Sequence, residues 1–157
     1  MKDFDSWNKK KKDINLKNNL IGLKERDIVF VHMGINVGYE QDGKGEEFLR
    51  PVVVLKVFNR NLFFGVPLTT KKRDGSFFVD INFNHGDKHY KNTAIIVQAK
   101  TFDTKRARYK KGMIIKEDFE RLKDKLYDLT LSKEREPLRE LESTLYHKNI
   151  DKSEIEF

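Results

Sequence analysis

The sequence predicts a mainly β chain with added helix (α+β), whose body is a small, curled antiparallel barrel. Two observations carry this. Five or six short runs rich in Val, Ile and Phe recur between residues 27 and 115, broken by Gly, Asn and Pro. Helical periodicity becomes clear only after them, where Phe119, Leu122, Leu126 and Leu129 fall on one stripe of 116–129.

The elements follow in order. Residues 1–22 form a basic leader, with Phe4, Trp7 and Ile14 at roughly helical spacing around Lys9 to Lys12. A short, partly amphipathic helix that packs one aromatic on the body is favoured over an RNA-binding arm. "DIVFVHMG" (27–34) is apolar on both faces, as a central strand would be. "PVVVLKVF" (51–58) opens on a proline, which a first strand position tolerates. "NLFFGVPLTT" (61–70) follows the turn at 59–61 and completes a hairpin. "FFVDINF" (77–83) alternates, with Phe77, Val79, Ile81 and Phe83 facing inward. "TAIIVQAKTF" (93–102) reads as one buried strand and "GMII" (112–115) as a short last one. The helix 116–129 has acids early and bases later, as its dipole favours. A second helix is expected around Pro137 to His147, with Leu138, Leu141 and Leu145. The organisation is thus a leader (1–22), a barrel domain (23–128) and an acidic helical extension (129–157).

Composition narrows the function. The absence of cysteine removes disulfides, thiolate zinc sites and thiol nucleophiles. No apolar stretch is long enough for a bilayer and no apolar core follows the early lysines, so the expected location is the cytoplasm, with no membrane contact. A net charge of +7 suits a nucleic-acid partner and plain solubility equally. It is unevenly spread. From Asp128 onward eight acids face five bases, a net of −3, which leaves +10 on the first 127 residues.

Most catalytic patterns are missing. His85 and His89 stand four apart around Asp87 in what reads as a polar loop, without an obvious third ligand, so no metal or other cofactor is expected. His32 reads as a hydrogen-bonded histidine of the core or rim, and His147 as a helix-end residue. The glycines of "GYEQDGKGEEF" (38–48) have no phosphate-cradle spacing, which leaves a mobile loop between strands. None of the five serines sits in a nucleophile elbow. What remains is the hairpin mouth. Counting outward from the turn at 59–61 brings Arg50 level with Thr70, next to Thr69 and the cations Lys71, Lys72 and Arg73. A guanidinium with a neighbouring hydroxyl can grip a phosphate. The competing reading pairs Arg50 with Glu46 or Glu47.

The order of the pieces resembles the MazF/PemK family of toxin ribonucleases. The shared pieces are Asp27-Ile28-Val29, Gly38-Tyr39-Glu40-Gln41, Arg50 to Leu55, Pro67 to Thr70, and Gln98 to Asp103 with Arg106. The resemblance implies an SH3-like barrel, a homodimer, metal-independent cleavage of single-stranded RNA, and neutralisation by a cognate acidic antitoxin. It maps the catalytic arginine onto Arg50 and the catalytic threonine onto Thr69. Around them, Thr70, Lys71, Lys72, Arg73, Gln98, Lys100 and Arg106 are candidates for RNA binding, and Glu40 and Glu46 for an acid, base or loop role. Two positions depart from the family pattern: Arg26 stands where glycine is usual, and "KGEEFL" lengthens the loop before Arg50. A catalytically silent nucleic-acid-binding barrel and a protein-interaction module are the alternatives.

Overall fold

The computed structural model describes residues 1–132, so the expected helix at 137–147 and His147 lie outside the described residues. Helix α1 (Phe4–Asn15) is followed by β1 (Asp27–His32), β2 (Leu49–Val57), β3 (Leu62–Thr69), β4 (Phe78–His85) and β5 (Lys88–Ile95). Then come β6 (Lys100–Asp103), β7 (Ala107–Ile114) and α2 (Lys116–Leu131), with 3₁₀ turns at Ile96–Gln98 and Thr104–Arg106. Every strand pairing is antiparallel. The order β2-β1-β7-β4-β5-β3 closes on itself through β2–β3, giving a six-stranded barrel, and β6 adds to the free half of β3. Among the described residues no helix is long and apolar enough to cross a membrane.

Alternation along the strands divides the apolar residues into two clusters. Ile28, Val53, Val66, Leu68, Ile81 and Ile114 belong to the barrel interior, which Phe119 and Leu122 of α2 close at one end. Residues of the opposite parity, Val29, Val31, Val52, Val54 and Phe63, form a second cluster with Phe102 and Ala107. The strands that contribute to both clusters are apolar on both faces, which is why 27–34 and 51–58 read as continuous apolar runs. Burying two faces of the same strands lets a chain of this size remove a large apolar area from water.

The leader helix buries one side chain against the body. Trp7 is buried; it lies against Gly34, meets Phe48 edge-on at 5.5 Å, and sits under the Arg106 guanidinium at 5.5 Å. Gly34 has φ +88, and a Cβ there would collide with the indole, so this position requires glycine twice over.

Four local expectations are corrected. The run 93–102 is broken at Ile96–Gln98, because its first half closes the barrel on β4 while its second must pair with the other end of β3. The segment around His85 and His89 is a tight hairpin: Gly86 (φ +57) and Asp87 form its turn, and β5 starts at Lys88. The last strand begins at Ala107, five residues before the apolar signal, and its pairing with β1 shifts register twice. Phe77 precedes β4 and is exposed rather than inward-facing.

Candidate active site at the ends of two strands

A register shift positions the two central residues. Next to the hairpin turn the pairs are Val57↔Phe63 and Lys56↔Phe64. The ladder then slips at Leu55, and the pairs become Val54↔Gly65 and Val52↔Pro67. Two residues further along this register, Arg50 comes level with Thr69 rather than with Thr70, the partner that counting from the turn gives. A β-bulge is a common means of re-aiming side chains beside functional sites.

Arg50 is 6% exposed and firmly held. Its Nε donates to the Asp42 carbonyl at 2.6 Å and Nη1 to the Leu68 carbonyl at 3.1 Å. With the Gln41 amide oriented so that its oxygen faces the guanidinium, Nη2 donates to it at 2.8 Å. Each terminal nitrogen carries a second N–H that these contacts leave over. Burial pushes the Arg50 pKa below its ordinary value, opposed by the charge of Asp42. The alternative pairing with a neighbouring glutamate is not formed. Glu47 instead bonds Lys10 at 2.7 Å, and Glu46 is exposed with no ion pair among the described residues. Thr69, 7% exposed, accepts the Lys71 N–H at 3.2 Å, so its own O–H is left to donate.

The loop before β2 is tied down rather than loose. Lys44 and Leu49 exchange backbone bonds, and the Phe48 carbonyl, at a residue with φ +50, receives the N–H groups of Met33 and Gly34. His32 bonds the Glu47 carbonyl through Nδ1 at 2.7 Å, the buried, hydrogen-bonded setting expected for it. Gln98 clasps the loop from outside: its Oε1 accepts from Gln41 N at 3.1 Å and its Nε2 donates to the Tyr39 carbonyl at 3.1 Å. Glu40 bends its carboxylate onto the Val37 N–H at 3.0 Å. Gln41 and Asp42, both absent from the sequence-derived candidates, thereby become the seat of Arg50.

The cationic candidates divide by setting. Thr70, Lys71, Lys72 and Arg73 are all exposed beyond the end of β3. The Lys100 ammonium lies 5.3 Å from the Phe102 ring centre. Desolvation first, then Arg106, lowers its pKa, against the pull of Glu40. Arg106 donates through Nη1 to the carbonyls of His32 at 2.9 Å and Met33 at 3.3 Å, so it braces β1 and α1. At the other end of the molecule's polar pairs, His89 bonds Asn84 and Asn82 rather than His85.

Arg50 and Thr69 border a cleft of about 460 Å³, whose wall includes Phe30, Leu49, Pro51, Tyr90, Asn92 and Lys111. Sequence reasoning missed Tyr90 and Asn92 because 88–92 was not read as strand. Their alternation with Ala94 across "YKNTA" is the signal that would have placed them on one face.

A closed six-stranded antiparallel barrel, with a buried arginine and a buried threonine bordering one cleft, defines a small barrel of SH3-like class. The family of PemK-like, MazF-like toxins of type II toxin-antitoxin systems matches residues 24–130, and the chain belongs to this family. Among solved structures it resembles MazF from Deinococcus radiodurans, with TM-score 0.55 and 17% identity over 71% of this chain and 97% of that one. It also resembles the MazE–MazF structure from the same organism, with TM-score 0.51 and 18% identity over 70% and 97%. An endoribonuclease in complex with its cognate antitoxin from a mycobacterial species gives TM-score 0.51 and 13% identity over 71% and 98%. At these identities the likeness is one of fold. Comparison with curated proteins gives no match.

Proposed function

We propose that this chain is a toxin endoribonuclease that cleaves single-stranded RNA without a metal ion, and that a cognate antitoxin neutralises it. The observation that carries the reading is the Arg50–Thr69 pair, a fixed guanidinium with uncommitted N–H groups beside a hydroxyl free to donate. Membership of the toxin family and the barrel shared with MazF support it. The mycobacterial neighbour, an endoribonuclease held by its antitoxin, supports both the reaction and the partner. As in that reading of the family, the chain works in the cytoplasm as a homodimer.

In the reaction, a ribose 2′-oxygen attacks the adjacent phosphorus and the bond to the 5′-oxygen breaks. One product ends in a 2′,3′-cyclic phosphate and the other in a 5′-hydroxyl. The proton lost by the 2′-oxygen is balanced by the one gained by the 5′-oxygen. Because the substrate supplies its own nucleophile, no metal-bound water is required. Arg50 and Thr69 donate to the phosphorane oxygens from positions fixed before the reaction begins, which is where such donors act most strongly. Glu40 adjoins the Gln41 that holds Arg50 and is our candidate for proton transfer; Glu46, without a partner on the loop, is the weaker one. Thr70, Lys71, Lys72 and Arg73 are exposed beside Thr69 and follow the RNA backbone. Gln98 and Arg106 act by positioning, through the loop and the helix they hold.

The test is cleavage of a long RNA in excess EDTA, with the product ends identified. Activity that persists and yields cyclic-phosphate ends is expected for the wild type, and none for Arg50→Ala. Activity that vanishes in EDTA and returns with one divalent ion overturns the metal-free mechanism. RNA binding without cleavage by the wild type returns the chain to a silent binding barrel.

A further inference from the structure

Asn92 is 8% exposed and its side chain makes no hydrogen bond among the described residues. Its amide is nevertheless not sealed off, since no buried side-chain polar atom in the described chain is without a partner. It stands on β5 between Tyr90 and Ala94 on the inward face, and borders the cleft that Arg50 and Thr69 share. The amide is therefore reachable from the cleft, with its donors and its acceptor uncommitted within the described chain and available to a ligand.

The rest of the cleft indicates which ligand. Its walls are mostly apolar, and its volume of about 460 Å³ lies within the range of small-molecule sites. Two of its aromatic rings are locked in place by neighbours. Phe30 stacks on Tyr109 at 4.9 Å and Tyr90 stacks on Phe83 at 5.1 Å. Lys111 lies 4.9 Å over the Tyr90 ring and brings a positive charge to the same wall. Flat apolar walls, one amide carrying both donors and an acceptor, and a cation are the chemistry of a nucleobase site.

We infer that this cleft is a nucleobase subsite, and that Asn92 determines sequence preference by pairing with the edge of a base next to the phosphate held by Arg50 and Thr69. This rests on the RNA-cleaving reading above. Asparagine presents a donor and an acceptor side by side, so it can discriminate among base edges that differ in their order of donors and acceptors. Tyr90 and Phe30 confine the base while Asn92 reads it.

The experiment maps cleavage sites on an RNA library of randomised sequence for the wild type, Asn92→Ala and Asn92→Asp, with melting curves for each. In Asn92→Ala, preference at one position beside the cut should relax by roughly 10- to 100-fold, while other positions keep theirs. Asn92→Asp can only accept, so that position should move toward guanine, whose Watson–Crick edge offers two adjacent N–H groups. If Asn92→Ala fails to fold, Asn92→Thr, suited to a strand, replaces it. Unchanged site preferences in the variants, or an equal loss at every site, overturn the inference. Should the wild type cut no RNA, the catalytic reading fails separately. The subsite is then tested by NMR titration of the four nucleoside monophosphates against the wild type and Asn92→Thr. Base-selective shifts lost in Asn92→Thr support the subsite, and shifts without base selectivity overturn it.

Discussion

Arg50 is held at three nitrogens before any substrate arrives, so replacing it removes part of the loop's anchorage together with the phosphate contact proposed for it. Arg50→Lys should therefore fail to restore activity, since one ammonium cannot bridge Asp42, Leu68 and Gln41 and also bind phosphate bidentately. Thr69→Val should lower kcat by on the order of a hundredfold with little change in melting temperature, whereas Thr69→Ser keeps the donor and most of the rate. Single-turnover kinetics with melting curves check both. His32 supplies a pH test. Desolvation lowers its pKa from the ordinary 6.5, more than its bond to the Glu47 carbonyl raises it. The folded state thus binds its proton less readily than the unfolded chain. Stability is complete above 6.5 and is lost as pH falls through that value toward the lower folded pKa. His32→Asn, which keeps a donor near Nδ1, should flatten this part of a melting-temperature profile; an unchanged slope assigns it to other groups. Arg26 shows why one departure from the family pattern is tolerated. Its backbone has φ +76, which favours glycine, but its side chain donates from Nε and Nη2 to the Ile114 carbonyl at 3.2 and 2.9 Å, tying the strand entrance to β7.

At the scale of elements, the loop from Met33 to Leu49 connects β1 to β2 and seats Arg50, the arginine proposed as catalytic. Gly43 faces the Phe48 carbonyl so closely that any Cβ would strike it. Gly43→Ala should force Phe48 away from Met33 and Gly34, lower the melting temperature and reduce cleavage together. Gln98→Ala is the gentler probe, because it removes only the two clasping bonds, each worth about 1 kcal/mol. It should lower kcat more than it raises KM, since Arg50 would be less well fixed while the cations beyond β3 are untouched. Equal kcat with a higher KM would instead place Gln98 in substrate binding. The hairpin that carries Arg50 and Thr69 was legible because its apolar alternation and its 59–61 turn bracket it. The bulge at Leu55 was not, since it lies within an unbroken apolar run and leaves no mark in residue type. It alone decides which threonine meets Arg50. The opening half of β5 was hidden for the opposite reason: Lys88, His89 and Lys91 are exposed and polar and make a strand look like a loop. Asn92 was lost with it.

For the whole molecule, the distribution of charge matters more than its sum. Residues 133–157 lie outside the described structure, but their seven acids and five bases are known, and removing them changes the net charge from +7 to +9. Truncation after Ser132 keeps α2 complete, with Phe119 and Leu122 still closing the barrel. If the acidic segment acts electrostatically against the basic body, the truncated chain should bind and cleave RNA faster at low salt. That gain should fade as ionic strength rises and the Debye length shortens to about 8 Å at physiological salt. A packing role predicts something different. The last turns of α2, with Leu126, Leu129 and Leu131, line a groove of about 810 Å³ together with Phe77 and Val97. Losing a segment that covers it would expose apolar surface, lower the melting temperature and promote aggregation with no gain in rate. The groove favours the second outcome, because large exposed apolar surface is seldom left uncovered. Stopped-flow association and melting curves of the two lengths across a salt series separate them. A truncated chain that is faster at every salt concentration and equally stable would sink the packing role.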